Sequence, residues 1–397
     1  MNQTTMRRLL LTLWLILPIG TVGAAEPDVA GAVARVAQQV DELASRREIA
    51  GLAIVVADSE RVLYQQTYGV RQVGEKETVD PKTRFRIASL SKGFASTLAT
   101  MLVAEGVIGW EHRVSKDVDY FRLANGRQAS LVNVEHLLSH RVGLPHNAYD
   151  RLLEANWQVP TIVSRYERVE LMCPVGSCYG YQNVSYNLIT DVVAARTGLP
   201  YESLVKSRIL EPLQMRGAGL GGDHLELDDN FARPHVRKRS RAVPVGVKYH
   251  YYRVPAAAGI NLTLDDLAIW LQAQLGTYPD VLSPELLDEM RTPRVRTRRE
   301  MIYGGWRGRR LEDAWYGLGW RVYDYAGHPM VYHAGAVEGY RAQIAILPEA
   351  DIGIAAMWNS ESSKAWGIVP VFADALFGLR AEDWMKLRTS GAGRSAD

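Results

Sequence analysis

The chain has 397 residues, more than one compact domain usually takes, so one large or two interleaved domains are expected. Hydrophobic residues make up 47% and charged residues 23%, ordinary proportions for a soluble globular enzyme. A formal net charge of +2 lacks the domain-wide basic excess that nucleic-acid binding needs and excludes that class.

The first residues read as a secretory signal over 1–24. Arg7 and Arg8 form a basic start, Leu9 to Ile19 an apolar run broken by Pro18, and Val22-Gly23-Ala24 the small residues a signal peptidase needs. Cleavage is expected after Ala24 or Ala25. The run is too short to span a bilayer comfortably, and no cysteine at the cleavage site indicates a lipid anchor. The expectation is an exported periplasmic protein with no stable membrane insertion after cleavage.

A helix is predicted over Pro27 to Arg47, where Val33, Val36, Val40 and Leu43 share a face. A hairpin follows: Leu52 to Ala57 is a continuous apolar strand, Ser59-Glu60-Arg61 the turn, and Val62 to Tyr68 alternates. Ser89 to Glu105 reads as a helix ended by Gly106. From Glu111 to Val254 the signals are helices and long loops with few strands. The clearest helices there are Val132 to His140, Val184 to Thr197 and Tyr201 to Leu210. Cys173 and Cys178 are close in an exported chain, which favours a disulfide worth at best about 2 kcal/mol for so short a loop. Thr263 and Asp266 form a capping box at the start of another helix. Short strands are predicted at Gly319 to Tyr323, Pro329 to His333, Tyr340 to Leu347 and Ile352 to Trp358. A last helix covers Ser362 to Phe377.

Strands at both ends and helices between them imply an α+β fold. An antiparallel sheet is built from 25–95 and 255–387 and flanked by the terminal helices; 96–254 forms a helical insertion and 388–397 a frayed tail. A cleft is expected where sheet and insertion meet.

Three short motifs carry chemistry. Ser89-Leu-Ser-Lys92 puts a hydroxyl and an amine three residues apart on one helical face. Burial lowers a lysine pKa, leaving neutral amine to take the serine proton, and the helix N-terminus favours negative charge near Ser89. Alone, the motif is common by chance and equally describes a capping serine. Tyr181-Gln-Asn183 supplies a phenol to relay a proton and an amide to donate to a substrate carbonyl; its bland reading is packing plus a helix start. His333-Ala-Gly335 lies on a late strand where small residues let a substrate backbone lie alongside, and the Ala336 N–H is placed to join that of Ser89 as an oxyanion hole.

The three motifs, in this order, resemble the penicillin-recognising serine hydrolases, and within them the class C β-lactamase, D-alanyl-D-alanine carboxypeptidase and esterase group. Further matching stretches are Thr83 to Ser89, His136 to His140 with Gly143-Leu-Pro145, Pro255 to Asp266, Tyr316 to Trp320 and Glu338 to Arg341. The resemblance implies an acyl-enzyme on Ser89, acid and base roles shared by Lys92 and Tyr181, Asn183 against the acyl side chain and His333 on the leaving-group side. It implies β-lactams, carbapenems included, as substrates. The alternatives are a D-Ala-terminated peptide, with peptidoglycan as its source, an ester, or a module that acylates and stalls. No cofactor is implied.

Two departures bear on substrate. His333 stands where class C enzymes carry a lysine for the substrate carboxylate, and histidine is only partly charged at neutral pH. Arg341 on the neighbouring strand is the candidate replacement. Arg141-Val142 also replaces the small polar pair common before Gly143. His136, His140 and His146 have zinc-like spacing but are read as structural, and the metal expectation is none. The basic runs Arg233 to Arg241 and Arg291 to Arg299 are read as solvated loops.

Overall fold

The structure is a computed structural model and describes residues 27–302 and 304–388. The leader expected at 1–24 and all but the first residue of the expected tail lie outside the described residues. Helix α1 spans Val29–Ala44, capped by Asp28, whose carboxylate accepts the Gly31 N–H at 2.8 Å. Its apolar stripe of Ala32, Val36, Val40 and Leu43 is buried.

One eight-stranded antiparallel sheet organises the molecule. Its strands are β1 (Gly51–Asp58), β2 (Val62–Gly69), β3 (Val295–Arg296), β4 (Leu311–Tyr316), β5 (Arg321–Tyr325), β6 (His328–Val337), β7 (Tyr340–Leu347) and β8 (Ile352–Trp358). Their order across the sheet is β2-β1-β8-β7-β6-β5-β4-β3. N-terminal and C-terminal strands meet at β1 and β8, where Leu52 pairs with Trp358 and Asp58 with Ile352. The sheet is thus assembled from both ends of the chain, as strands at both ends of the sequence require. Strands β3 and β4 carry no clear signal in the sequence because Arg-rich segments surround them.

Alternation along each strand feeds two cores. Ala53, Val55, Ala342, Ile344, Ala355 and Met357 face the helical side. Leu52, Ile54, Ala345, Ile354, Ala356 and Trp358 face α1 and the C-terminal helix Ile368–Leu376. Because both faces are covered, β1 and β8 read as continuous apolar runs rather than alternating ones.

On the helical side lies α2 (Ser91–Ala104), buried all round from Ser91 to Leu102. A helix enclosed on every side has little amphipathic signature. Small residues let it pack closely: a Cβ on Gly93 would sit 2.8 Å from Trp320. The segment between α2 and Val254 holds short helices at Val134–Leu138, Val159–Ser164, Ile189–Thr197 and Tyr201–Val205, and also a hairpin at His235–Lys238 and Arg241–Pro244. Helix Leu264–Gln274 opens on the expected capping box: Thr263 Oγ1 accepts from Asp266 N at 3.2 Å, and the Asp266 carboxylate accepts from Thr263 N at 3.0 Å. The sulfurs of Cys173 and Cys178 are bonded.

Candidate active site

The site lies where the start of α2, the middle segment and strand β6 converge. Strand Phe85–Arg86 leads into a tight turn at Ala88–Leu90, and α2 follows. Ala88 has φ +47°, a left-handed conformation that a non-glycine residue adopts at a cost of about 1 kcal/mol. The kink leaves Ser89 half-buried between the buried Ala88 and Leu90, just ahead of the first turn of α2. There the positive end of the helix dipole favours developing negative charge.

Lys92, one turn further on, is fully buried. Its Nζ donates to Asn183 Oδ1 at 2.7 Å and to the Ala257 carbonyl at 3.2 Å, and lies 3.4 Å from Ser89 Oγ. Burial brings its pKa down to about 7; Asp150 opposes the fall and Arg321 adds to it. A neutral amine has two N–H groups and one lone pair. Asn183 and Ala257 take the two protons, so the lone pair is left for the Ser89 hydroxyl.

Tyr181 closes the other side. Its ring centroid is 4.7 Å from Lys92 Nζ. Burial pushes the phenol up to about 12 against a hydrogen bond with Ser89, so it stays protonated at neutral pH. Asn183 is oriented from behind: its Nδ2 donates to Asp150 Oδ2 at 2.7 Å.

Strand β6 forms the third wall. It pairs with β5 only as far as Tyr332 but with β7 through Val337, so among the described residues its edge from His333 to Val337 has no strand partner on the β5 side. Gly335 presses on the nucleophile turn: a Cβ there would collide with the Ile87 carbonyl oxygen and sit 3.1 Å from Ser89 N. Only glycine lets β6 approach the turn that carries Ser89 so closely.

His333 is placed differently from a carboxylate anchor. It is 2% exposed, and both ring nitrogens are engaged. The Gln182 N–H donates to His140 Nδ1 at 3.1 Å, so His140 Nε2 carries the proton and donates to Tyr316 Oη at 3.2 Å. Tyr316 then donates to His333 Nε2 at 3.1 Å, and His333 Nδ1–H donates to the Ala334 carbonyl at 2.9 Å. The Gln182 N–H at one end and the Ala334 carbonyl at the other set the direction in which this chain donates. Burial, then neighbouring cations, holds both imidazoles well below their ordinary pKa. His136 and His146 also accept backbone N–H groups, from Asn133 at 3.4 Å and Tyr181 at 3.1 Å. These bonds give the histidines structural work.

The expectation for Arg341 needs correction. Residues 340 and 342 face the helical core that contains the turn before Ser89, and alternation turns residue 341 to the opposite face of the sheet. Its guanidinium donates to the Val337 and Tyr340 carbonyls and lies 3.5 Å from Glu361. It forms no part of the wall around Ser89. Sequence reasoning missed Asp150, and also Arg321, whose guanidinium centre lies 5.9 Å from the Tyr181 ring and which pairs with Glu300. Tyr316 lies in a stretch singled out from sequence, but its bridging of two histidines could not be read from spacing.

A family model described as Beta-lactamase matches residues 34–369. The chain belongs to the β-lactamase family. It has the fold of that family. Among curated relatives, Unguisins hydrolase ungD of Aspergillus violaceofuscus is 26% identical over 377 residues, covering 87% of this chain and 65% of the relative. Protein flp of Staphylococcus aureus strain MW2 is 23% identical over 331 residues, covering 82% and 63%. The chain therefore spans less than two thirds of the length of these relatives. Among solved structures of similar fold, an octameric penicillin-binding protein homologue from Pyrococcus abyssi superposes with TM-score 0.76 at 26% identity, covering 88% of this chain and 78% of that one. A D-stereospecific amidohydrolase from Streptomyces sp. superposes with TM-score 0.67 at 21% identity, covering 88% and 99%.

Proposed function

We propose that this β-lactamase-family chain is an exported hydrolase of amides or esters that works through an acyl-enzyme on Ser89. The observation that carries the proposal is the Lys92 amine, held by Asn183 Oδ1 and the Ala257 carbonyl with its remaining valence toward Ser89. The neutral amine takes the Ser89 proton as Oγ attacks the carbonyl carbon. The Ser89 and Ala336 N–H groups hold the oxyanion. The protonated Tyr181 phenol delivers a proton to the leaving amine or alkoxide and regains one from Lys92. Water then attacks the ester carbonyl and restores Ser89. The bonded pair Cys173–Cys178 supports an oxidising compartment such as the periplasm.

On substrate, the geometry favours an ester or amide with no carboxylate beside the scissile bond. A β-lactam or a D-Ala terminus brings such a carboxylate. Here His333 is neutral and engaged at both nitrogens, Arg341 faces away, and Arg321 is paired with Glu300. The relative named Unguisins hydrolase supports hydrolysis, and the structural neighbour named a D-stereospecific amidohydrolase supports amide chemistry. The β-lactam reading rests on motif order and the family model.

The test gives the mature protein and Ser89→Ala a p-nitrophenyl ester, a D-alanine p-nitroanilide, a chromogenic cephalosporin and a carbapenem, with intact mass read in parallel. Ester or anilide turnover exceeding lactam turnover is expected, and Ser89→Ala should lose it. Lactam turnover as the main activity reverses the substrate assignment. A persistent adduct without turnover makes the chain a binding module. Undiminished turnover by Ser89→Ala overturns the mechanism.

A further inference from the structure

We propose that Asp150 is a positioning residue that locks the Asn183 amide in the one orientation that lets Lys92 act as a base toward Ser89. The inference rests on the Ser89–Lys92 mechanism above. Asp150 is 7% exposed and begins the short helix Asp150–Glu154, just after the Gly143-Leu-Pro145 stretch. Its Oδ2 accepts from Asn183 Nδ2 at 2.7 Å and from Tyr251 Oη at 3.4 Å, while its Oδ1 meets no partner among the described residues. A buried carboxylate held by so few donors costs stability. A residue placed there only to fill space would be better apolar.

What a carboxylate does that a neutral residue does not is accept without donating. Facing it, Asn183 must turn its NH₂ toward Asp150 and its Oδ1 toward Lys92 Nζ, 2.7 Å away. Were the amide free to flip, its NH₂ would face the amine, and the acceptor that occupies one Lys92 proton would be gone. The Asp150 charge acts through the same line and opposes the fall of the Lys92 pKa caused by burial. The other groups facing Lys92 are Arg321, the neutral His140 and His333, and the rings of Tyr181 and Tyr186. Those facing Asp150, besides Asn183, are Lys92, Glu154, Tyr251 and Tyr166.

The experiment compares Asp150→Asn with the exchange variant Asp150→Asn/Asn183→Asp by the pH dependence of kcat/KM for a p-nitrophenyl ester. Reaction of Ser89 with a fluorophosphonate is followed by intact mass. For the parent protein, kcat/KM rises with pH as Lys92 loses its proton, with a limb near 7. Removing the Asp150 charge lowers the Lys92 pKa, so in Asp150→Asn the limb moves to lower pH by about one unit. The exchange variant keeps the number of hydrogen bonds but sets the charge against Lys92, so its limb moves to higher pH by about one unit or more. A packing role predicts that Asp150→Asn, which keeps size and shape, leaves the parent profile in place. Limbs that coincide with the parent, or that move the same way in both variants, overturn the proposal. If Asp150→Asn does not fold, the exchange variant decides alone, and a limb at or below the parent's overturns it. Failure of the underlying mechanism looks different: Ser89→Ala would then keep both turnover and labelling.

Discussion

Gly335→Ala tests whether the close approach of β6 to the nucleophile turn is catalytic or merely tolerated. The added methyl would overlap the Ile87 carbonyl oxygen and lie 3.1 Å from both the Ile87 carbonyl carbon and Ser89 N. None of these atoms is the end of a flexible side chain. Relief requires backbone to move by about 1 Å, either β6 outward or the turn inward. Strand β6 is anchored by β7 along its far edge, where Gly335 pairs with Ala342, so the shift falls on the spacing between the Ser89 and Ala336 N–H groups. Misplacing reacting groups by such a distance costs on the order of 10²-fold in rate, whereas overpacking costs about 1–3 kcal/mol of stability. The expected result is a folded variant whose kcat for a p-nitrophenyl ester falls about 100-fold with a much smaller change in KM. The assay is steady-state kinetics beside a urea melt. Gly109→Ala, at a position where a Cβ meets open space, serves as a control and should match the parent. A Gly335→Ala variant with kcat within about fivefold of the parent, or with lost stability and intact kcat, would refute the argued role of this glycine.

Two further outcomes follow from charge placement. Glu300→Gln removes the anion shared by Arg321 and Arg307 beneath Tyr323. Leaving these mostly buried guanidinium groups uncompensated should cost about 3–5 kcal/mol, read as a lower urea midpoint. A loss below about 1 kcal/mol would mean that solvent already screens them. Arg341→Gln should leave KM unchanged for both neutral and carboxylate-bearing substrates, because the side chain is on the far face of the sheet. A rise confined to the carboxylate-bearing substrate would restore Arg341 as an anchor.

The sequence by itself determined the local chemistry. Ser89 and Lys92 are three residues apart at a helix start, Tyr181 and Asn183 are separated by one residue, and the small residues after His333 suit a strand that something must approach. These depend on spacing within a single element, which periodicity reports faithfully. The apolar runs of β1 and β8 likewise announced buried strands, and order along the chain implied a sheet closed from both ends. Tertiary structure decided what each side chain meets across the fold. Lys92 and Asn183 are 91 residues apart, and Asp150 reaches Asn183 from the start of a separate short helix. The adjacency of its strand points Arg341 toward the site, yet a strand has two faces. Which face meets which core is settled only when the sheet closes and α1 covers one side while α2 covers the other. His333 stands where the motif order implies a charged carboxylate anchor. Its neutrality comes from burial beside Arg321 and Lys92, and its partners Tyr316 and His140 are joined to it through the packed core rather than through the sequence around it.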